Sequence, residues 1–283
     1  MPTVSEYVLH ASMRLDYGPH PDRARRDAET LLLHLLGKNR AWMMAHMDDE
    51  LGYDCAEQYI AMLERRYKGE PIQYILGETE FYRLPFRVTP DVLIPRPETE
   101  HVLEKVLELA QAFEAPRIVD VGTGSGAIAV ALAHELTAAI VTATDASAGA
   151  LAVARENAQR NGVAARVRFI EGDLLEPVAG EQFDIVVSNP PYVAEQDRET
   201  LAVEVRDYEP AQALFAGEDG LEIYRRLVPQ AFNALAHRGC LVLEIGHGQE
   251  PPVGALLAEA GFEQIEFTAD LQGIERVACG RKS

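Results

Sequence analysis

The sequence predicts an α/β fold, a mostly parallel sheet with helices on both faces, with a small helical bundle in front of it. Three observations carry this. From about residue 96, short β-branched runs alternate with helical stretches, the rhythm of strand, turn and helix. The first of those runs ends in a cluster of glycines that opens the next helix. Before residue 75 the apolar residues recur only at helical spacing.

Taken in order, residues 22–36 place Ala24, Ala28, Leu31, Leu32 and Leu35 near one helical face, and Gly37 stops the helix. A second helix is expected over residues 54–67, with Ala56, Tyr59, Ile60 and Leu63 inward and Lys68, Gly69 and Pro71 marking its end. Residues 80–88 alternate like a short hairpin, after which Pro90, Pro95 and Pro97 punctuate an extended linker. Strands follow at Arg117–Val121, Ile140–Asp145, Val167–Glu171, Phe183–Ser188 and residues 240–245, with helices over 127–136, 146–161 and 221–236. Two late strands, 263–268 and 275–279, are close enough to pair as an antiparallel edge. The division expected is a helical domain over residues 1–75, a hairpin linker over 76–95 and a catalytic domain over 96–283.

Hydrophobic residues make up 47% of the 283 and charged residues 25%, so a sizeable core is available. The apolar stretches 31–36 and 127–132 are far too short to span a bilayer, and the first ten residues lack a basic segment followed by an apolar run. A cytoplasmic protein with no membrane association is expected. Cys55, Cys240 and Cys279 show no paired spacing and read as reduced thiols. No metal is expected. The formal charge is −19, of which the first 75 residues carry only −3. So acidic a chain argues against naked duplex DNA as a substrate, because neutralising phosphates needs a basic face.

Asp120-Val121-Gly122-Thr123-Gly124-Ser125-Gly126-Ala127 forms the glycine loop. Such glycines let a backbone turn tightly and approach a ligand at a helix mouth. Gly122, Gly124 and Ala127 also fit a dinucleotide pattern, so the loop alone does not choose a cofactor. Asp145 ends the second strand, where an acid grips ribose hydroxyls in either case. Two features favour S-adenosylmethionine, with S-adenosylhomocysteine as product. Asp120 suits a cationic methionyl ammonium and would repel a pyrophosphate. Gly172-Asp173-Leu174 offers a carboxylate acceptor for the adenine amino group and an apolar side chain against the ring.

The fourth strand ends in Asn189-Pro190-Pro191-Tyr192, at the sheet edge where ligands bind in open α/β folds. The prolines end ladder donation and stiffen the loop. An amide or exocyclic amine nitrogen delocalises its lone pair and is a poor nucleophile. The Asn189 side-chain oxygen and the Pro190 carbonyl can accept both of its N–H bonds, aiming it at a methyl donor and favouring the cation that develops. Tyr192 offers a face for stacking on a planar substrate. Asn189, Pro190 and Tyr192 are therefore the expected catalytic residues, and Pro191 joins them in holding the substrate.

With these motifs in place the chain resembles the HemK/PrmC family of protein-glutamine methyltransferases. The stretch Gly69-Glu70-Pro71-Ile72-Gln73-Tyr74-Ile75-Leu76-Gly77, then Glu80-Phe81, then Val92-Leu93-Ile94-Pro95-Arg96-Pro97-Glu98-Thr99-Glu100 is similar to that family's linker. Glu209-Pro210 with Ala213-Leu214, and Leu243-Glu244-Ile245-Gly246, extend the likeness over nearly the whole chain. The resemblance implies a seven-stranded, Rossmann-like class I methyltransferase sheet with a reversed last strand. It implies cofactor contacts from Gly122 to Gly126 and from Asp145, Leu174 and Asn189. The implied partner is a class-1 peptide chain release factor, methylated on the glutamine of its Gly-Gly-Gln motif. A monomer is expected, and the acidic charge balance makes direct nucleic-acid binding unexpected. One departure is Tyr82-Arg83, where the family commonly has a glycine and a local change of turn is expected.

Other polar residues are weighed less. Arg96 is divided between shaping the site and lying solvated in the linker. His247, in a loop, is expected to be solvated rather than a general base. Glu98 and Glu100 are expected to cap a helix beginning near His101. The chief rival function is an amino-methyltransferase acting on adenine or guanine, which would have to extrude its base and bind phosphates. A non-catalytic binding module would not need both intact motifs, and a nicotinamide oxidoreductase would need a proton relay that nothing downstream offers.

Overall fold

Thr3 starts the first helix with a capping box: its hydroxyl accepts from the Glu6 N–H, and the Glu6 carboxylate accepts from the Thr3 N–H. That helix, α1 (Val4–Leu15), buries Val4, Val8, Ala11 and Leu15, a stripe at helical spacing. It packs with α2 (Ala24–Leu36), which Gly37 ends in the left-handed conformation. Then come α3 (Arg40–Ala45), α4 (Tyr53–Tyr67) and α5 (Ile72–Leu76). The computed structural model describes residues 2–283, in two compact units, and residues 2–77 together with Leu201–Tyr208 form the first. Its core holds Leu31, Leu32 and Tyr59, whose hydroxyl donates to the Ala28 carbonyl at 2.9 Å. Arg66 lies in the same core with its side chain 1% exposed. The guanidinium donates to Asp27 at 2.6 Å, to Glu204 at 3.0 Å and to the Glu70 carbonyl at 2.9 Å. Such a buried cation persists only because its partners are buried with it.

The second unit comprises Glu78–Thr200 and Glu209–Ser283. It opens on a hairpin, β1 (Glu78–Phe81) and β2 (Leu84–Arg87), whose two-residue turn is Tyr82 and Arg83 at φ 48° and 62°. A two-residue turn matched to strand twist needs positive φ at both positions, so two non-glycine residues are held where glycine or asparagine is normally found. Next come α6 (Thr99–Ala110), β3 (Arg117–Val121), α7 (Ala127–Glu135), β4 (Ile140–Asp145), α8 (Ala148–Arg160), β5 (Val167–Glu171) and β6 (Phe183–Ser188). The short α9 (Val203–Arg206) lies in the segment that belongs to the first unit. The chain closes with α10 (Glu222–Ala234), β7 (Leu235–Glu244), α11 (Glu250–Glu259), β8 (Glu263–Ala269) and β9 (Glu275–Arg281).

These strands make one seven-stranded sheet in the order β5-β4-β3-β6-β7-β9-β8. Strands β3 to β7 run parallel, and β9 is antiparallel to both of its neighbours, which is the reversed last strand that the resemblance implies. Helices α6 and α7 cover one face and α10 and α11 the other, each over its own apolar layer. Helix α7 is apolar on every side over its first seven residues, Ala127 to Ala133, and all of them are buried.

Three local expectations change. Ile60, grouped on the inner face with Tyr59 and Leu63, is exposed, and Arg66 takes the buried position instead. Strand β7 begins at Leu235 rather than near 240, because the chain continues as strand through Arg238 at φ 66°. Helix α6 begins at Thr99, and Glu98 makes no side-chain capping bond. Glu100 instead accepts the Tyr82 N–H at 2.9 Å, so it tethers the hairpin turn.

Candidate active site

In a parallel sheet the carboxyl ends of the central strands share one edge, and adjacent register here pairs Val121 with Thr144 and with Ser188. Asp120, Asp145 and Asn189 are therefore delivered to one place by β3, β4 and β6. They line a cavity of about 200 Å³ together with Gly122, Thr123, Gly124 and Ser125. Asp173, Leu174 and Pro191 line it too. Gly126 does not, and its role is to let helices meet: a Cβ there would lie 3.1 Å from that of Ala154. Gly124, at φ 55°, turns its N–H onto the Asp145 carboxylate at 2.8 Å.

The two acids are held differently. Asp145 accepts from the Gly124 N–H through one oxygen and from the Ser147 N–H through the other, each at 2.8 Å. Burial raises its carboxyl above the ordinary range, and those two N–H groups oppose the rise. Asp120 is 1% exposed. Its Oδ2 accepts from the Thr123 hydroxyl at 2.6 Å and the Ala129 N–H at 3.1 Å, while Oδ1 is buried with no hydrogen-bond partner. Burial, with a smaller push from Asp145, lifts the carboxyl to about 7. A cavity-lining carboxylate with an orphaned oxygen suits a cationic ligand group, and the methionyl ammonium of S-adenosylmethionine is one.

On the far side of the glycine loop, Leu174 sits at φ 47°, a conformation that costs a leucine free energy and persists only where its surroundings impose it. The Thr144 hydroxyl supplies part of that constraint, donating to the Leu174 carbonyl at 2.8 Å. Asp173 is ion-paired with Arg226 at the rim.

The Asn189 side chain donates through Nδ2 to the Thr99 hydroxyl oxygen at 3.0 Å. Thr99 in turn donates to Glu244 at 2.6 Å. The Tyr192 hydroxyl donates to the other oxygen of Glu244 at 3.3 Å. Pro190 is buried, and neither it nor Tyr192 is among the residues lining the cavity. Tyr192 packs against the apolar layer under α10 and α11. Gln249 pins the loop from behind, donating to the Tyr192 carbonyl at 3.0 Å. Burial raises Glu244 to about 7 despite its two donors.

Thr99 and Glu244 fall in stretches that carry the family resemblance but were given no role there, and Gln249 was not singled out. Arg96 lines the cavity and is paired with Glu209, whose side chain is 1% exposed, so its place is in the wall rather than in solvent. His247 is exposed and does not line the cavity.

Comparison with known proteins identifies the family. Residues 100–217 match the methyltransferase small domain, and residues 11–77 match the PrmC N-terminal domain. A release factor glutamine methyltransferase of Koribacter versatilis is 44% identical over 259 residues, 91% of each chain. The chain belongs to this family. A second member, from Geobacter sulfurreducens, is 44% identical over 260 residues, 92% of this chain and 90% of that one. A methyltransferase from Pyrococcus furiosus shares the fold at a TM-score of 0.52 and 18% identity, over 72% of this chain and 91% of that one. As a family member the chain is a methyltransferase whose cofactor is S-adenosylmethionine. No helix among the described residues is long and apolar enough to cross a membrane.

Proposed function

We propose that this enzyme methylates the side-chain amide nitrogen of the glutamine in the Gly-Gly-Gln motif of class-1 peptide chain release factors. The observation that carries the reading is the Asn189 amide, tied down through its nitrogen by Thr99 beside the cavity. With Nδ2 so engaged, Oδ1 is the end left to accept an N–H from a planar amide. The Pro190 carbonyl is assigned the second N–H. S-adenosylmethionine, when bound, supplies an electrophilic methyl group. Asp120 is assigned its ammonium, Asp145 its ribose hydroxyls, and Asp173 and Leu174 its adenine. Asn189 and Pro190 hold the amide nitrogen in place and favour the positive charge it acquires, after which its extra proton leaves to water.

A base's exocyclic amine would fit the same acceptors, so the site by itself does not separate amide from base. The relatives do, since they are release factor glutamine methyltransferases over nine tenths of the chain. The helical unit over residues 1–75 is assigned a second surface of the release factor, adding affinity that a few loop residues could not supply. The enzyme acts as a monomer without direct nucleic-acid contact. The test is methylation of purified release factor, with the modified residue located by mass spectrometry. Methyl transfer to adenine or guanine in nucleic acid, with none to release factor, would overturn the reading.

A further inference from the structure

We infer that Glu244 is a positioning residue that, through Thr99, fixes which end of the Asn189 amide faces the substrate. This rests on the reading of Asn189 as acceptor of the substrate's N–H.

The inference comes from counting protons. An ionised carboxylate only accepts hydrogen bonds, and a threonine hydroxyl has one proton to give. Glu244 is 1% exposed and takes the Thr99 proton at 2.6 Å. Thr99, 4% exposed, then has only lone pairs for its other neighbour. That neighbour is Asn189, which must present its NH₂ at 3.0 Å and so turns its oxygen away. Without Glu244 the threonine proton could rotate onto Asn189, and the amide could reverse at little cost. A reversed amide would set a donor against the donor N–H of the substrate, at the step where an acceptor is needed.

The surroundings fix Glu244 itself. Tyr192 donates to its second carboxylate oxygen at 3.3 Å, and the Tyr224 hydroxyl donates to its backbone carbonyl at 2.8 Å. A buried carboxylate without a cation is costly, and here the Thr99 and Tyr192 hydroxyls offset part of that cost.

The test compares Thr99→Val, Thr99→Ser, Glu244→Met and the double variant Thr99→Val/Glu244→Met, assayed on release factor at pH 8, above the ionisation of Glu244. Thr99→Val is nearly isosteric and lacks the hydroxyl; we expect kcat to fall about tenfold or more. Cofactor affinity by calorimetry should change by less than kcat does, since the assigned Asp120 and Asp145 contacts are untouched. Thr99→Ser keeps the hydroxyl and should restore most of kcat. Because Glu244 acts through Thr99, adding Glu244→Met to Thr99→Val should cost little more, whereas independent roles would multiply.

Turnover in Thr99→Val equal to the parent enzyme would overturn the inference, as would fully multiplicative effects in the double variant. If Glu244→Met does not fold, the valine and serine variants still decide. A parent enzyme inactive on release factor would instead count against the proposed substrate, so the two failures are distinct.

Discussion

The buried carboxyl of Asp120 makes cofactor binding depend on pH in a defined direction. An ordinary aspartate ionises near 3.8, and this one is lifted to about 7, chiefly by burial. It is therefore roughly one tenth ionised at pH 6 and nine tenths ionised at pH 8. If the anion receives the methionyl ammonium, the Kd for S-adenosylmethionine should tighten by roughly tenfold from pH 6 to pH 8, or about 1.4 kcal/mol. Asp120→Asn keeps the shape and an acceptor for the Thr123 hydroxyl and Ala129 N–H, but removes the charge. It should weaken binding by about 1.5–3 kcal/mol at pH 8 and flatten the pH dependence. The ligand-free protein should show the opposite trend in stability. An acid whose folded pKa is raised contributes stability that is full below its unfolded pKa and lost as pH rises through the folded one. Its window is about pH 4 to 7, and Glu244, also lifted to about 7, adds a contribution of the same sign. Calorimetry at several pH values, paired with denaturant melts without cofactor, reads both. A Kd that is flat from pH 6 to 8 in the parent protein, or equal affinity in Asp120→Asn, would refute the reasoning.

Three further substitutions probe the rest. Asp145→Ala should weaken S-adenosylmethionine binding by about 1.5–3 kcal/mol in calorimetry, and unchanged affinity would mean that the ribose lies elsewhere. Asn189→Ala should leave cofactor binding mostly intact while lowering kcat on release factor by roughly 10²-fold, measured by transfer of a labelled methyl group. Arg66→Ala leaves Asp27 buried without its cation, while Glu204 keeps Arg23 at 3.2 Å, and should cost about 3 kcal/mol in chemical denaturation; a loss below about 1 kcal/mol would show that solvent reaches the cluster.

What was legible in the sequence was local in the chain. The glycine loop and Asn189-Pro190-Pro191-Tyr192 are each consecutive residues at a strand end, so the strand and its neighbours fix their placement almost unaided. The first helix was there to be found, since Thr3 and Glu6 have capping-box spacing before an apolar-periodic run. Arg66 is harder: beside Glu64 and Arg65 it looks like part of a solvated face. Yet it falls seven residues after Tyr59 and three after Leu63, on the buried side of α4.

The relay behind Asn189 had no sign of its own: Thr99 and Glu244 fall in stretches similar to the family's, but nothing local gives them a role. Thr99 and Glu244 are separated by 145 positions. They meet because α6 packs against β7, and β7 pairs with β6, the strand that delivers Asn189. In the chain, Thr99 lies among acids that suggest only a helix start, and Glu244 ends a strand of apolar residues. A carboxylate buried on a central strand has a large desolvation cost, which here is offset by two hydroxyl donors. One of those donors, Thr99, also holds the nitrogen of the Asn189 amide. The same topology that brings three strand ends to one edge thus also ties Asn189 through Thr99 to Glu244, a connection that only the folded chain displays.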